Sequence, residues 1–593
     1  MHATVPRTAR LGVLLVAVTA GTTLAVLLWR LTHVGVPFSF DPMLYARSLW
    51  GLGYGAPVNP VVGVHAMSVH AHLHQYVLAP LTAVVPAVDV LLVTQVAAFA
   101  TVLVLAGRAV ARSVPAQFAT TAAVTTTAAL AFGSPWVCNP LLFDVRPDHA
   151  AVAFAVAGLL RLRANRRLDG WALALLAAAA ACREEMAFAL APAVILAPGL
   201  RGDLRARIAG AVALAGWWLA YWFWLRGWFG GDLATARLDG HEQVLLGEGS
   251  WFAVAWQQRW ARMELVTTLA LTGGGLALLA PRWLLAAMPA AAFALVQNRM
   301  GEQMLQLHYT MFAAPIVVVA AVEGAARAWH LAGSARWRRG LVVAVLSCSG
   351  VLALTSTSWP WGARFDDAAF AMDGDAATHR AHAETRAVLA ALPDDAALVV
   401  PYAWGADVAD RATIYREVPF ALAVRDGALS PGDADFIVVS AAHFDDYGRQ
   451  YAQRVQLPLV ARTPLAAVFA TDERPVADGV LATVAAPDCT TPVATLEAVG
   501  WRVCDPMLGP TGVRVTVERT ESRPMPPALW MTDAGPAELG RGLVALSRVP
   551  PGRPMHVHIP DGATRLWLMA ADGSTVPAQG PGVDADGFVR VGP

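Results

Sequence analysis

An apolar run from Leu11 to Leu31, preceded by Arg7 and Arg10 and with Arg30 as its one charge, constrains this chain more than any other feature. At about 21 residues it is long enough to cross a hydrocarbon core of about 30 Å. Comparable runs follow at Asp89 to Gly107, Gln117 to Phe132, Ala150 to Leu160, Ala209 to Trp224, Leu265 to Ala280, Trp283 to Val296, Thr310 to Val322 and Leu341 to Leu354. In lipid each backbone N–H and C=O must find its partner within the protein, so such runs fold as helices. Composition agrees. Hydrophobic residues make up 56% of the 593 residues and charged ones 15%, against about 25% charge in an ordinary soluble domain. Net charge is zero, which gives no sign of a nucleic-acid partner.

The first run is too long for the apolar region of a cleaved signal, and no small-residue cleavage pattern follows it. It is expected to be a retained span with a cytoplasmic N-terminus, because basic residues precede it. Carrying the positive-inside rule along the chain puts the clusters Arg108/Arg112, Arg161/Arg163/Arg166/Arg167 and Arg336/Arg338/Arg339 inside. The run from Trp171 to Pro198 has basic residues on both flanks and is interrupted by Arg183-Glu184-Glu185. A pair of half-spanning helices that turn at this string and return to the same side satisfies the rule. The expected fold class is therefore mainly α, a polytopic helical membrane domain of about nine to eleven spans over residues 1–358. An extracytoplasmic C-terminal region should follow.

Beyond Trp359 the composition shifts, as Asp, Pro and Gly interrupt short apolar strings. Leu398 to Pro401, Phe436 to Ser440 and Leu457 to Ala461 read as strands, and Ala381 to Leu392 has helical spacing. This predicts an α/β module over 359–475. Alternation in Val513 to Glu518 and Pro554 to Pro560 predicts a small β-rich module over 476–593. Cys489 and Cys504 are able to pair there, and two free thiols are the equal alternative.

This topology gathers sequence-distant polar residues near the outer face: Asp41, His70, His72 and His74; Asp144, Arg146, Asp148 and His149; Arg183, Glu184 and Glu185; Arg299, Glu302, His308 and Tyr309. Carboxylates bind a divalent metal or accept a proton, while Arg and His hold phosphate oxygens, so the set suits a phosphate-bearing lipid substrate. A strand would turn His70, His72 and His74 to one face, whereas a helix would so align only His70 and His74. With no further ligand at the right spacing, they are expected to be solvated or interfacial.

Several strings together resemble a known family. They are Phe40-Asp41 with Ser48-Leu49-Trp50; His70 ahead of Ala79-Pro80-Leu81; Asn139-Pro140 with Phe143-Asp144-Val145-Arg146-Pro147-Asp148; Arg183-Glu184-Glu185; His308-Tyr309; Ile414-Tyr415-Arg416; and Asp433-Ala434-Asp435-Phe436. In this order they look like the DUF2079 family of bacterial membrane proteins, whose layout is similar to that of the GT-C glycosyltransferases. The resemblance implies a plasma-membrane enzyme that takes a sugar from a polyprenyl-phosphate donor at the extracytoplasmic face. Asp41 would be its catalytic acid–base residue. His70, Arg146, Arg183, Arg299, His308 and Tyr309 would bind substrate phosphate, and Asp144, Asp148 and Glu184 would bind Mg²⁺ or Mn²⁺. The implied partners are the bilayer and the lipid-linked sugar. The chain departs from the family pattern at Arg146, where His is usual, and at Arg183 and Glu185, which replace Lys and Asp. A transporter whose interrupted helix lines a cavity, or a catalytically inert membrane protein, is the alternative.

Overall fold

The computed structural model describes residues 5–33, 41–62, 64–197, 204–230, 259–296, 311–361, 376–416, 433–440, 459–463 and 465–471, then the strands and short turns between residues 492 and 590. Contacts divide the chain into two units. The first comprises Met1–Thr32, Tyr45–Asn59 and Gly63–Ala371, and the second His33–Leu44, Pro60–Val62 and Met372–Pro593.

Helices dominate up to Trp361. In chain order they are α1 Arg7–His33, α2 Asp41–Gly53, the short α3 Ala66–Val69 and α4 His74–Leu78, α5 Ala87–Ser113, α6 Ala119–Gly133, α7 Pro135–Phe143 and α8 His149–Asn165. There follow α9 Gly170–Cys182, α10 Glu184–Leu196, α11 Leu204–Trp228, α12 Arg259–Ala270, α13 Pro281–Val296, α14 Ala314–Leu331 and α15 Ala335–Thr355. Among the described residues, α1, α5, α11, α14 and α15 are long and apolar enough to cross a membrane. Within the first unit α5 packs along α6 and α8, α8 along α9, α10 along α11, and α15 along α6. Every residue of α14 from Ala314 to Val322 is buried.

Three spans differ from expectation. Leu265 to Ala280 is not one helix: α12 stops at Ala270, and Gly273, Gly274 and Gly275 all take left-handed backbone (φ 67°, 69° and 86°) before a 3₁₀ turn at Leu276–Leu279. Glycine alone adopts that conformation without steric penalty. The run expected at Thr310 to Val322 continues as α14 to Leu331, and α8 likewise runs on to Asn165. The polar residues that seemed to end them pair instead. Arg163 Nε donates to Glu323 Oε2 at 2.7 Å, and Arg327 Nε to Glu323 Oε1 at 3.1 Å.

The interrupted run from Trp171 to Pro198 is a hairpin of α9 and α10, each of 13 residues or about 20 Å, short of a full crossing. Arg183 breaks the helix with extended backbone (φ −160°, ψ 116°). Both ends return to one place, since Leu168 and Val194 lie within 4 Å of the position a Cβ would take at Gly210 of α11.

β1 Val58–Asn59 and β2 Val64–His65 pair antiparallel within the first unit. The second unit holds a five-stranded sheet in the order β4-β3-β5-β7-β6, with β3 Leu398–Val400, β4 Ile414–Arg416, β5 Phe436–Ser440, β6 Leu459–Arg462 and β7 Ala466–Ala470. β3 pairs parallel with β4 and β5, whereas β7 is antiparallel to β5 and β6. Its core joins Leu398, Phe436 and Val468 to Val388 of the helix α16 Ala376–Ala390, and also takes in Met43 from the first turn of α2 and Val61 from the turn that follows α2. Two antiparallel five-stranded sheets follow between Pro492 and Arg590. Cys504 is disulfide-bonded, and Cys489, its expected partner, lies outside the described residues.

Candidate functional site

Buried polar groups of the first unit converge at the broken helix between α9 and α10. The break matters because it leaves Arg183 as the last extended residue before α10, with Glu184 and Glu185 in that helix's first turn. Acidic side chains are favoured at a helix N-terminus, where unpaired N–H groups concentrate positive potential. Opposite them passes the segment His70 to His74, tied down by the Leu73 amide, which donates to Ala181 O at 3.0 Å.

Glu184 is fully buried and spends both oxygens on this segment: Oε1 lies 2.7 Å from His70 Nδ1, and Oε2 accepts from the Ala71 amide at 2.9 Å. Glu185 Oε1 lies 3.7 Å from His70 Nδ1. Arg183 forks Glu185, donating from Nε to Oε2 at 2.7 Å and from Nη2 to Oε1 at 3.2 Å. Its Nη1 reaches across to Asp148 Oδ1 at 3.0 Å. Asp148 also accepts from Arg146 Nε at 2.8 Å and lies 2.5 Å from His72 Nε2. Arg146 Nη2 completes the set by donating to Tyr45 OH at 3.0 Å.

The electrostatics follow from burial. Loss of water would by itself raise the Asp148 carboxyl, but the Arg183 and Arg146 guanidiniums, with His72, hold it well below the usual carboxylate range. Both ring nitrogens of His74 are buried, and the ring edges against His72 at 5.9 Å. Burial, reinforced by His72, pushes its imidazole down to about 3, against the opposing pull of Asp148 and of the Pro147 carbonyl.

The loop that carries Arg146 and Asp148 is held by a residue with only a faint sequence signal. Gln95, fully buried in α5, donates to the carbonyls of Leu141 (2.7 Å) and Asp144 (2.9 Å) and accepts from the Arg146 amide at 2.8 Å. A single amide inside an apolar run was the available clue. Tyr45 gave none. His72, expected to be solvated, is buried and bonded to Asp148. Asn139, one of the residues that carries the family resemblance, is structural: it donates to Ser356 O at 2.8 Å and accepts from the Ser358 amide at 2.9 Å, fastening the end of α15.

Of the residues expected at a site, His70, Arg146, Asp148, Arg183 and Glu184 stand together here. Asp144 is buried nearby in sequence, with Oδ1 on the Val145 amide at 2.8 Å. Asp41 opens α2 and clusters with the second unit. Arg299, His308 and Tyr309 lie outside the described residues. Among the described residues, one group of donors is close enough to share a cation: His70, Glu184 and Glu185, whose ligand atoms all lie within 4.8 Å of one another. Glu184 is the one acid of the expected metal set in it. Asp148 is spent on Arg146, Arg183 and His72.

Comparison with known families gives a direct match. The family described as "Predicted membrane protein (DUF2079)" matches residues 31–416, well over half of the chain. The chain belongs to DUF2079. The match takes in the whole cluster from Tyr45 to Glu185 and extends as far as β4 of the second unit. No curated protein matches this DUF2079 member. Among solved structures, the crystal structure of ArnT from Cupriavidus metallidurans in the apo state is similar at 13% identity, over 77% of this chain and 97% of that one, with a TM-score of 0.44.

Proposed function

We propose that this DUF2079 membrane protein is a glycosyltransferase of the GT-C kind that takes a sugar from a polyprenyl-phosphate donor at the extracytoplasmic face. One observation carries the proposal: two carboxylates, two guanidiniums and two imidazoles from distant parts of the chain are buried together, with the half-buried Glu185 beside them, in a membrane protein. Ionisable groups are costly near lipid and tend to mark function there. In the transfer step the acceptor oxygen bonds to the anomeric carbon as the bond from that carbon to the phosphate oxygen breaks. The acceptor proton goes to a base, and the electron pair stays on the phosphate. Arg146 and Arg183 are suited to that developing charge, because a guanidinium offers two N–H groups to an oxyanion and keeps its own charge throughout. Asp41 keeps the role of base on the family resemblance alone.

A divalent cation fits the donor set. One imidazole and two carboxylates suit Mn²⁺ better than Mg²⁺, which prefers an all-oxygen shell. His70, Glu184 and Glu185 would hold it, and it would supply positive charge beside the phosphate. On the distribution of arginine we further propose a cytoplasmic N-terminus, with the modules of 359–475 and 476–593 outside the cytoplasm.

The test is incubation of membranes with labelled polyprenyl-phosphate sugars. Wild-type protein should transfer label, and Asp41→Asn and Glu184→Gln should each lower transfer at least about tenfold, the scale of one lost acid–base or electrostatic contribution. Equal transfer by Asp41→Asn would remove Asp41 from catalysis. A wild-type protein that neither binds nor turns over any such lipid is not this transferase.

A further inference from the structure

Glu185 serves two masters. It is one of the three donors within cation-sharing distance of one another, and it is also the carboxylate that Arg183 forks with Nε and Nη2. Arg183 does not depend on Glu185 for its position, because Nη1 is separately anchored on Asp148 at 3.0 Å. The charge count among the described residues of the cluster is also uneven: Asp148, Glu184 and Glu185 face Arg146 and Arg183. Three negative groups meet two fixed positive ones, and all but the half-buried Glu185 are shielded from the water that would screen the difference.

We infer that Glu185 exchanges partners when the site fills, so that a divalent cation and a phosphate oxyanion bind cooperatively. A cation held by His70, Glu184 and Glu185 takes over the Glu185 charge that Arg183 now neutralises. That releases two N–H groups of a guanidinium still fixed by Asp148, and two buried guanidiniums that share the single Asp148 charge are undercompensated. A phosphate oxyanion restores the balance. Phosphate arriving without the cation must compete with Glu185 for Arg183 and meets the one surplus negative charge of the cluster. Each ligand therefore removes the penalty on the other, and by linkage the effect is reciprocal. Arg183 is a phosphate-binding residue whose availability is set by the metal. The inference rests on the lipid-phosphate proposal for placing phosphate here, but the chemistry is the same for a free or a lipid-borne phosphate.

The test uses the full-length protein in nanodiscs, with Mn²⁺ binding followed by electron paramagnetic resonance. Titrations are run with no anion, with inorganic phosphate and with a polyprenyl monophosphate, all at known free concentrations. Wild-type affinity for Mn²⁺ should rise about tenfold with at least one of the two phosphates, with the reciprocal gain in phosphate affinity. In Glu185→Gln, Mn²⁺ should bind more weakly and the coupling should fall to within about twofold of none. The wild-type titration decides the matter even if the variant fails to fold: equal Mn²⁺ affinity with and without both phosphates overturns the inference. So does full coupling in a folded Glu185→Gln. Coupling with inorganic phosphate but not with the lipid supports the exchange and sinks the polyprenyl-phosphate donor. Equal Mn²⁺ affinity with and without both phosphates in a protein that still transfers sugar overturns the exchange and leaves the transferase standing.

Discussion

At the scale of single residues, the cluster is organised by Asp148, which meets Arg146, Arg183 and His72 at once. Its neighbour His74 gives the clearest experimental handle. A histidine free to titrate near 6.5 when unfolded, but held neutral to about 3 when folded, takes up a proton on unfolding throughout that window. Stability is therefore fully present above pH 6.5 and falls as the pH drops towards 3. In detergent, the unfolding midpoint of wild-type protein should decline over this range, and that of His74→Phe should decline less, a difference on the order of a few kcal/mol at the acid end. Parallel decline of the two would show that His74 is not the group responsible. The residues that make the cluster were largely legible in the sequence, because charges beside apolar runs stand out. His70, Arg146, Asp148, Arg183 and Glu184 were all visible in this way. The pairing was not. Nothing local says that Asp148 is consumed by two arginines while Glu185 joins His70, since that depends on which segments fold opposite one another.

At the scale of elements, the interruption of a helix was readable where charge caused it and misread where glycine did. Arg183-Glu184-Glu185 announced the α9–α10 hairpin. Gly273-Gly274-Gly275 is nearly neutral in hydropathy, so the apolar run from Leu265 passed through it unbroken. In the folded chain a Cβ on Gly274 would sit 2.4 Å from Val345 O of α15, on backbone with φ 69°. Gly274→Ala should accordingly lower stability by about 1–3 kcal/mol through backbone strain and the clash together. Thermal unfolding of the purified variant measures it, and a midpoint within error of wild type would mean the turn relaxes freely. The ends of α8 and α14 were misplaced for a different reason. Arg163, Glu323 and Arg327 looked like residues that must leave the helix, yet ion pairing lets them stay in it.

At the scale of the whole molecule, membrane residence was evident from composition and from the length of the apolar runs, while sidedness rests on the distribution of arginine alone. It predicts that the loop after α2 and the C-terminal region face the same compartment. Cysteines introduced at the exposed positions Tyr54 and Asp395 should both react, above the wild-type background, with an impermeant maleimide applied from outside. Reaction at one position only would break the parity on which every assignment of sides depends. The strands of the second unit were also readable from their alternation and turn residues, but the presence of Met43 and Val61 in its core was not. One apolar residue in a helix and one in a turn carry no mark of the distant sheet they serve. Their place there has a consequence for biosynthesis. Val61 leaves the ribosome roughly 330 residues ahead of Val388, an interval of roughly 15–65 s at ordinary elongation rates. For that time two pieces of a hydrophobic core exist without the rest of it. The second unit closes only when the last third of the chain arrives, so a truncated or stalled product is left with an unfinished core that quality-control proteases can recognise.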